Sequence, residues 1–103
     1  MMALTPEKKV KNQVVKLLKK HHAYYFFPAT YGMGRSGVPD VVCCLNGSFI
    51  GIECKAGNNK PTELQKRELT AIQEAGGEAF VISDNNLNVL ENYLSEQGHK
   101  DSA

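Results

Sequence analysis

Asp40, Glu53 and Lys55 are the residues of this 103-residue chain whose types and spacing could carry chemistry. They lie in two apolar runs, Val38–Leu45 and Ser48–Lys55, joined by Asn46-Gly47. Asn-Gly selects a type I′ hairpin turn, in which both central residues need φ > 0. A two-residue turn sets Asp40 opposite Glu53 and Val38 opposite Lys55. Strand alternation then sends Asp40, Glu53 and Lys55 out of one sheet face. Two opposed carboxylates repel, and apolar neighbours make their desolvation costly, so a cation between them removes the conflict. Lys55 is one such cation. A divalent metal is the better one, because hard cations take carboxylate oxygens. An acidic pair with a lysine can hold a metal, orient or deprotonate a water, and stabilise charge on a phosphate in transfer. The competing reading is a structural salt bridge among the three residues, without metal affinity.

The elements around this hairpin follow from local signals. Thr5 is an N-cap and Pro6 suits a first helical position, so a helix is expected from there to about Lys20, with Val10, Val14, Leu17 and Leu18 as its apolar stripe. Glu7 falls on or beside that buried face. It is either an acid favoured by the helix dipole or a third carboxylate for the metal. His21 and His22 close the helix, with no catalytic partner evident. Tyr24–Phe27 reads as a short strand ended by Pro28. The hairpin, with apolar residues on both faces, is expected to be covered on both sides. Thr62-x-x-Gln65 is a capping box for a helix over 62–75, which gives Gln65 a structural role of its own. Gly76-Gly77 ends that helix, and 78–83 is a strand that a crossover makes parallel to the one ending at Lys55. A last helix carries Leu87, Leu90 and Leu94. The tail from about Gln97 is expected to fray.

Gly32-x-Gly34-x-x-Gly37 matches the dinucleotide fingerprint literally but fails its context, since Val38-Pro39 and a strand follow instead of a helix. The preferred reading is a loop that brings backbone and Arg35 toward phosphates. Arg35 and Ser36 of this loop, with Lys60 of the loop over 56–61, are the candidate nucleic-acid contacts.

Three cysteines in strands, with no Cys-x-x-Cys, argue against a disulfide framework or zinc site; Cys43 and Cys54 are expected in the core. Charge is split. Residues 1–60 hold nine Lys and Arg against three acids, and residues 61–103 hold three against eight. Such a split suits a polyanion on the basic half. No membrane span and no signal-peptide run is evident, so a cytoplasmic protein of a bacterial cell or phage-infected host is expected. One domain is expected over 1–96, with 97–103 as a tail.

Gly37-Val-Pro-Asp40, then Glu53-Cys-Lys55, then a glutamine on the following helix resembles the VRR-Nuc family of the PD-(D/E)xK nuclease superfamily. The likeness covers Glu7 to about Ser83. It departs from the family pattern at Cys54, where a β-branched residue is usual, and no arginine-rich segment is evident. The resemblance implies a restriction-endonuclease-like α/β core, a mixed central sheet flanked by helices in the order α-β-β-β-α-β-α. It implies Asp40, Glu53 and the Cys54 backbone carbonyl as ligands of Mg²⁺ or Mn²⁺, with Glu7 as the acid of the first helix. Lys55 then orients the attacking water or steadies the phosphate, and Gln65 completes the catalytic set. The implied activity is metal-dependent DNA endonuclease, leaving 5′-phosphate and 3′-hydroxyl ends. Branched DNA is the expected substrate, and a homodimer resembling a four-way (Holliday) junction resolvase the expected assembly. The alternative is a non-catalytic nucleic-acid-binding module that keeps the fold.

Overall fold

Thr5 starts the first helix as its spacing predicts. In the computed structural model, which describes residues 4–30 and 34–99, its hydroxyl accepts the N–H of Lys8, and Pro6 opens helix α1 (Pro6–Lys20). Strand β1 (Tyr24–Phe26) follows, then the hairpin β2 (Val41–Leu45) and β3 (Ser48–Cys54). Helix α2 (Glu63–Glu74) crosses over to β4 (Glu78–Ile82), and α3 (Leu87–His99) closes the order. This is the expected α/β arrangement. The sheet runs β1-β2-β3-β4, antiparallel except for the parallel β3–β4 pair.

The hairpin register is the one Asn46-Gly47 demands. Both turn residues have positive φ, and Val41 pairs with Ile52, Cys43 with Ile50 and Leu45 with Ser48. One sheet face carries Val41, Cys43, Leu45, Ile50, Ile52 and Cys54. These pack with Val10, Val14 and Leu18 of α1 and Leu90 and Leu94 of α3 to form the buried core.

The opposite face carries the site, and its cover is partial rather than complete as expected. The crossover helix α2 lies over the two strands it connects, seating Ile72 against Gly51. The β1–β2 side stays open: Tyr24 is 72% exposed, Phe26 and Phe49 are 48% exposed, and Cys44 is exposed among them. A twelve-residue helix cannot shield four strands.

Gln97, where fraying is expected, lies within a helix instead. Helix α3 continues to His99, and Gln97 is buried: its side chain accepts from the Ser48 hydroxyl and its carbonyl from the Asn46 amide. Polar composition suggested fraying, but the exposed hairpin turn supplies the partners. Residues 100–103, and residues 31–33 of the glycine-rich loop, lie outside the described residues. No described helix is long and apolar enough to cross a membrane.

Candidate active site

Glu53 stands at the centre of the site face. Two positions beyond Gly51 on β3, it points under the first turn of α2 and is only 2% exposed. Its Oε2 accepts a hydrogen bond from Gln65 Nε2 at 3.0 Å and lies 3.6 Å from Lys55 Nζ. Its Oε1 is buried with no partner.

Asp40 ends the loop before β2 and turns its carboxyl into the same space. Its Oδ2 accepts the N–H of Cys54 at 2.8 Å, so the aspartate also extends the hairpin beyond its last backbone pair. Burial pushes the Glu53 carboxyl up to about 8, and the facing Asp40 carboxyl pushes the same way. Lys55 opposes this, and Glu7 adds the smallest push upward. With both groups ionised neither can donate to the other. One proton or one cation resolves the pair.

Gln65 serves two structures with one amide. Its Oε1 accepts the N–H of Thr62 at 2.8 Å, completing the capping box, while its Nε2 holds Glu53. The box and the site are thus one device: the interaction that starts α2 also aims the glutamine at the buried acid.

Gly37 lets that helix approach. With φ +79 it sits where a Cβ would lie 2.6 Å from the Leu64 carbonyl carbon and 2.9 Å from the Gln65 nitrogen. This glycine therefore admits the α2 backbone; a phosphate is not what occupies its open side. Gly34, at φ +85, faces open space.

The remaining sequence candidates separate. Lys55 joins the site at the end of β3, where its N–H is held by the Ile82 carbonyl at 2.9 Å. Glu7 is exposed in the first turn of α1 and acts on Glu53 only through its charge. Arg35 is bound away from the acids, its Nε donating to both oxygens of Glu68 on α2 at 3.0 and 3.1 Å. Ser36 is exposed beside it, and Lys60 is exposed on the β3–α2 loop near Lys55. Cys43 and Cys54 are buried in the core, their thiols pushed up to about 12 by burial, which makes thiolate chemistry there unfavourable. His21 finds a structural partner that sequence reasoning missed: it donates to Glu91 of α3, beside Lys20.

Among the described residues, no three His, Cys, Asp or Glu side chains converge on one point. The donor set for a cation is the Asp40–Glu53 pair with nearby backbone carbonyl oxygen. The unpartnered Glu53 Oε1 and the unresolved repulsion between the buried Glu53 and the half-buried Asp40 fit a hard divalent ion.

No family model matches the chain. A curated relative, "Putative nuclease p44" of Acyrthosiphon pisum secondary endosymbiont phage 1, is 40% identical over 58 residues, covering 55% of this chain and 62% of that protein. The chain thus matches less than two thirds of that relative's length. A solved "VRR_NUC domain protein" superposes with a TM-score of 0.67 at 22% identity, over 91% of each chain. This likeness establishes the fold that the resemblance at Asp40 and Glu53-Cys54-Lys55 implies.

Proposed function

We propose that this chain is a VRR-Nuc-type nuclease, a metal-dependent DNA endonuclease that hydrolyses phosphodiester bonds in branched DNA. The observation that carries the reading is the buried Glu53 facing the half-buried Asp40, with one Glu53 oxygen unpartnered and Lys55 and Gln65 at its side. Mg²⁺ or Mn²⁺ held by Asp40, Glu53 and the Cys54 carbonyl would supply the positive charge that offsets both carboxylates and polarises the phosphodiester. The chain's own residues do the rest. The Cys54 N–H fixes Asp40, and the Gln65 amide fixes Glu53. Lys55, with its side chain 13% exposed, presents an ammonium from a largely enclosed position where its charge is little screened by water. Glu7 would reach such an ion only through an intervening water.

A homodimer suits this reading because the β1–β2 side of the site face is apolar and open. Tyr24, Phe26, Cys44 and Phe49 form an exposed cluster of the kind that marks an interaction surface. A two-fold pairing there would set two sites in symmetric relation, as symmetric nicking of a four-way junction requires.

The test is cleavage of linear duplex, flap, fork and four-way junction with Mn²⁺, Mg²⁺ or EDTA, with Lys55→Ala in parallel. Metal-dependent cutting that the variant loses is the expected result. Binding without cutting on every substrate would move the assignment to a non-catalytic nucleic-acid-binding module.

A further inference from the structure

A groove of about 410 Å³ opens beside Lys55. The β3–α2 loop forms one wall, with Asn58, Asn59 and Lys60; the β4–α3 turn forms the other, with Ser83 and Asn85. Its lining carries two lysines and no acid.

Topology leaves this space uncovered. Strands β3 and β4 lie side by side and parallel. Their following helices depart to opposite faces: α2 rests on Gly51, while α3 sends Leu90 and Leu94 into the core with Ile50 and Ile52. Where successive connections diverge in this way, the carboxyl ends of the strands leave a crevice, and open α/β sheets bind ligands there.

The walls are held in place from within. Asn86 accepts the Ser83 N–H at 2.7 Å and donates to the Val81 carbonyl at 2.9 Å; the Asn85 N–H donates to the Ser83 hydroxyl at 3.2 Å. On the other side the Asn59 N–H donates to the Ala56 carbonyl at 3.1 Å. The side-chain amides of Asn58, Asn59 and Asn85 are exposed and take no part in the hydrogen bonds among the described residues. Each offers donors and an acceptor, a match for base edges and phosphate oxygens alike.

We propose that this groove is the subsite for the nucleotide adjoining the scissile phosphate on the strand being cut, an assignment that rests on the nuclease reading of Asp40, Glu53 and Lys55. Lys60 meets the neighbouring phosphate, and the free amides of Asn58, Asn59 and Asn85 contact the sugar–phosphate and the base edge. The strand thus leaves the site between the β3–α2 loop and the β4–α3 turn.

The test compares Asn59→Asp/Asn85→Asp with Gln73→Glu/Asn92→Asp. Both variants add equal charge at exposed positions, the second pair lying on α2 and α3 outside the groove. Binding of fluorescently labelled single-stranded and branched DNA is read by anisotropy in EDTA, and cleavage with Mn²⁺. The groove variant should bind about five-fold more weakly or worse, against a change of less than about two-fold in the control, and its cleavage defect should fall on KM more than on kcat. Equal losses in the two variants, or none in either, would overturn the groove. A wild type that binds DNA but cuts nothing would overturn the nuclease reading instead, and the two failures are read from separate measurements.

Discussion

One amide group of Gln65 donates to the Glu53 carboxylate at 3.0 Å while its oxygen closes the capping box on Thr62 at 2.8 Å. Helix initiation and the aiming of a buried acid are therefore coupled. Gln65→Ala should lose one of the two bonds of the capping box, at about 0.5–1 kcal/mol, while the Thr62 hydroxyl still caps the helix, and should strip Glu53 of the amide that donates to it. Gln65→Glu keeps a residue that suits the box but opposes Glu53 with a like charge. Thermal melts should find the alanine variant destabilised at every pH. The glutamate variant should lose more stability at pH 8 than at pH 5, and both should lose cleavage.

Glu53 sets a pH dependence whose sign is the reverse of the usual acid case. Its carboxyl rises from 4.5 to about 8 in the folded metal-free protein, so folding favours the protonated form. That contribution is complete below about 4.5, declines as pH rises, and is gone above about 8. Through this window the group costs up to about 1.4 kcal/mol per pH unit. Melting in EDTA from pH 4.5 to 9 should show the decline, and Glu53→Gln should flatten it and exceed the wild type in stability at pH 8.

Cation binding must displace the proton that the pair holds at neutral pH. Apparent Mn²⁺ affinity in calorimetric titration should therefore increase up to about pH 8 and level off beyond it. Asp40→Asn keeps an acceptor for the Cys54 N–H, and should preserve the melting temperature while abolishing Mn²⁺ binding. If Mn²⁺ bound that variant as tightly as the wild type, Asp40 would be a structural cap only.

Gly37 and Gly34 share a left-handed backbone but differ in surroundings. Gly37→Ala drives a Cβ into the α2 backbone and should cost about 2 kcal/mol or more, with α2 displaced and Gln65 drawn off Glu53. Gly34→Ala meets open space and should cost only the conformational strain, about 1 kcal/mol. Urea unfolding of both variants, beside cleavage, separates the two effects.

The hairpin, its register and the shared face of Asp40, Glu53 and Lys55 were legible because a two-residue turn and strand alternation leave no freedom. The N-termini of α1 and α2 were legible for a similar reason: their caps act within three residues. The double duty of Gln65 was half visible, since the capping box is local while the contact with Glu53 depends on how α2 docks. The pairing of Arg35 with Glu68 left no local signal, because the two lie 33 positions apart. The burial of Gln97 was not legible, because its partners Asn46 and Ser48 reach it only through tertiary placement. The asparagine groove left no local signal at all. It arises from two loops brought together by a parallel strand pair, and Asn58-Asn59 and Asn85-Asn86 look like ordinary turn residues.

Helix α2 is held unlike its neighbours. Among its residues only Leu69 is buried, whereas α1 buries Val10, Val14 and Leu18. Segments with few buried contacts open at lower free energy than the whole domain. Here the weakly anchored segment is the one that carries Gln65. On warming, the arrangement of Gln65 on Glu53 should come apart while the sheet and the α1–α3 layer remain folded: amide hydrogens of α2 should exchange first, and any cleavage activity should be lost below the melting temperature of the fold.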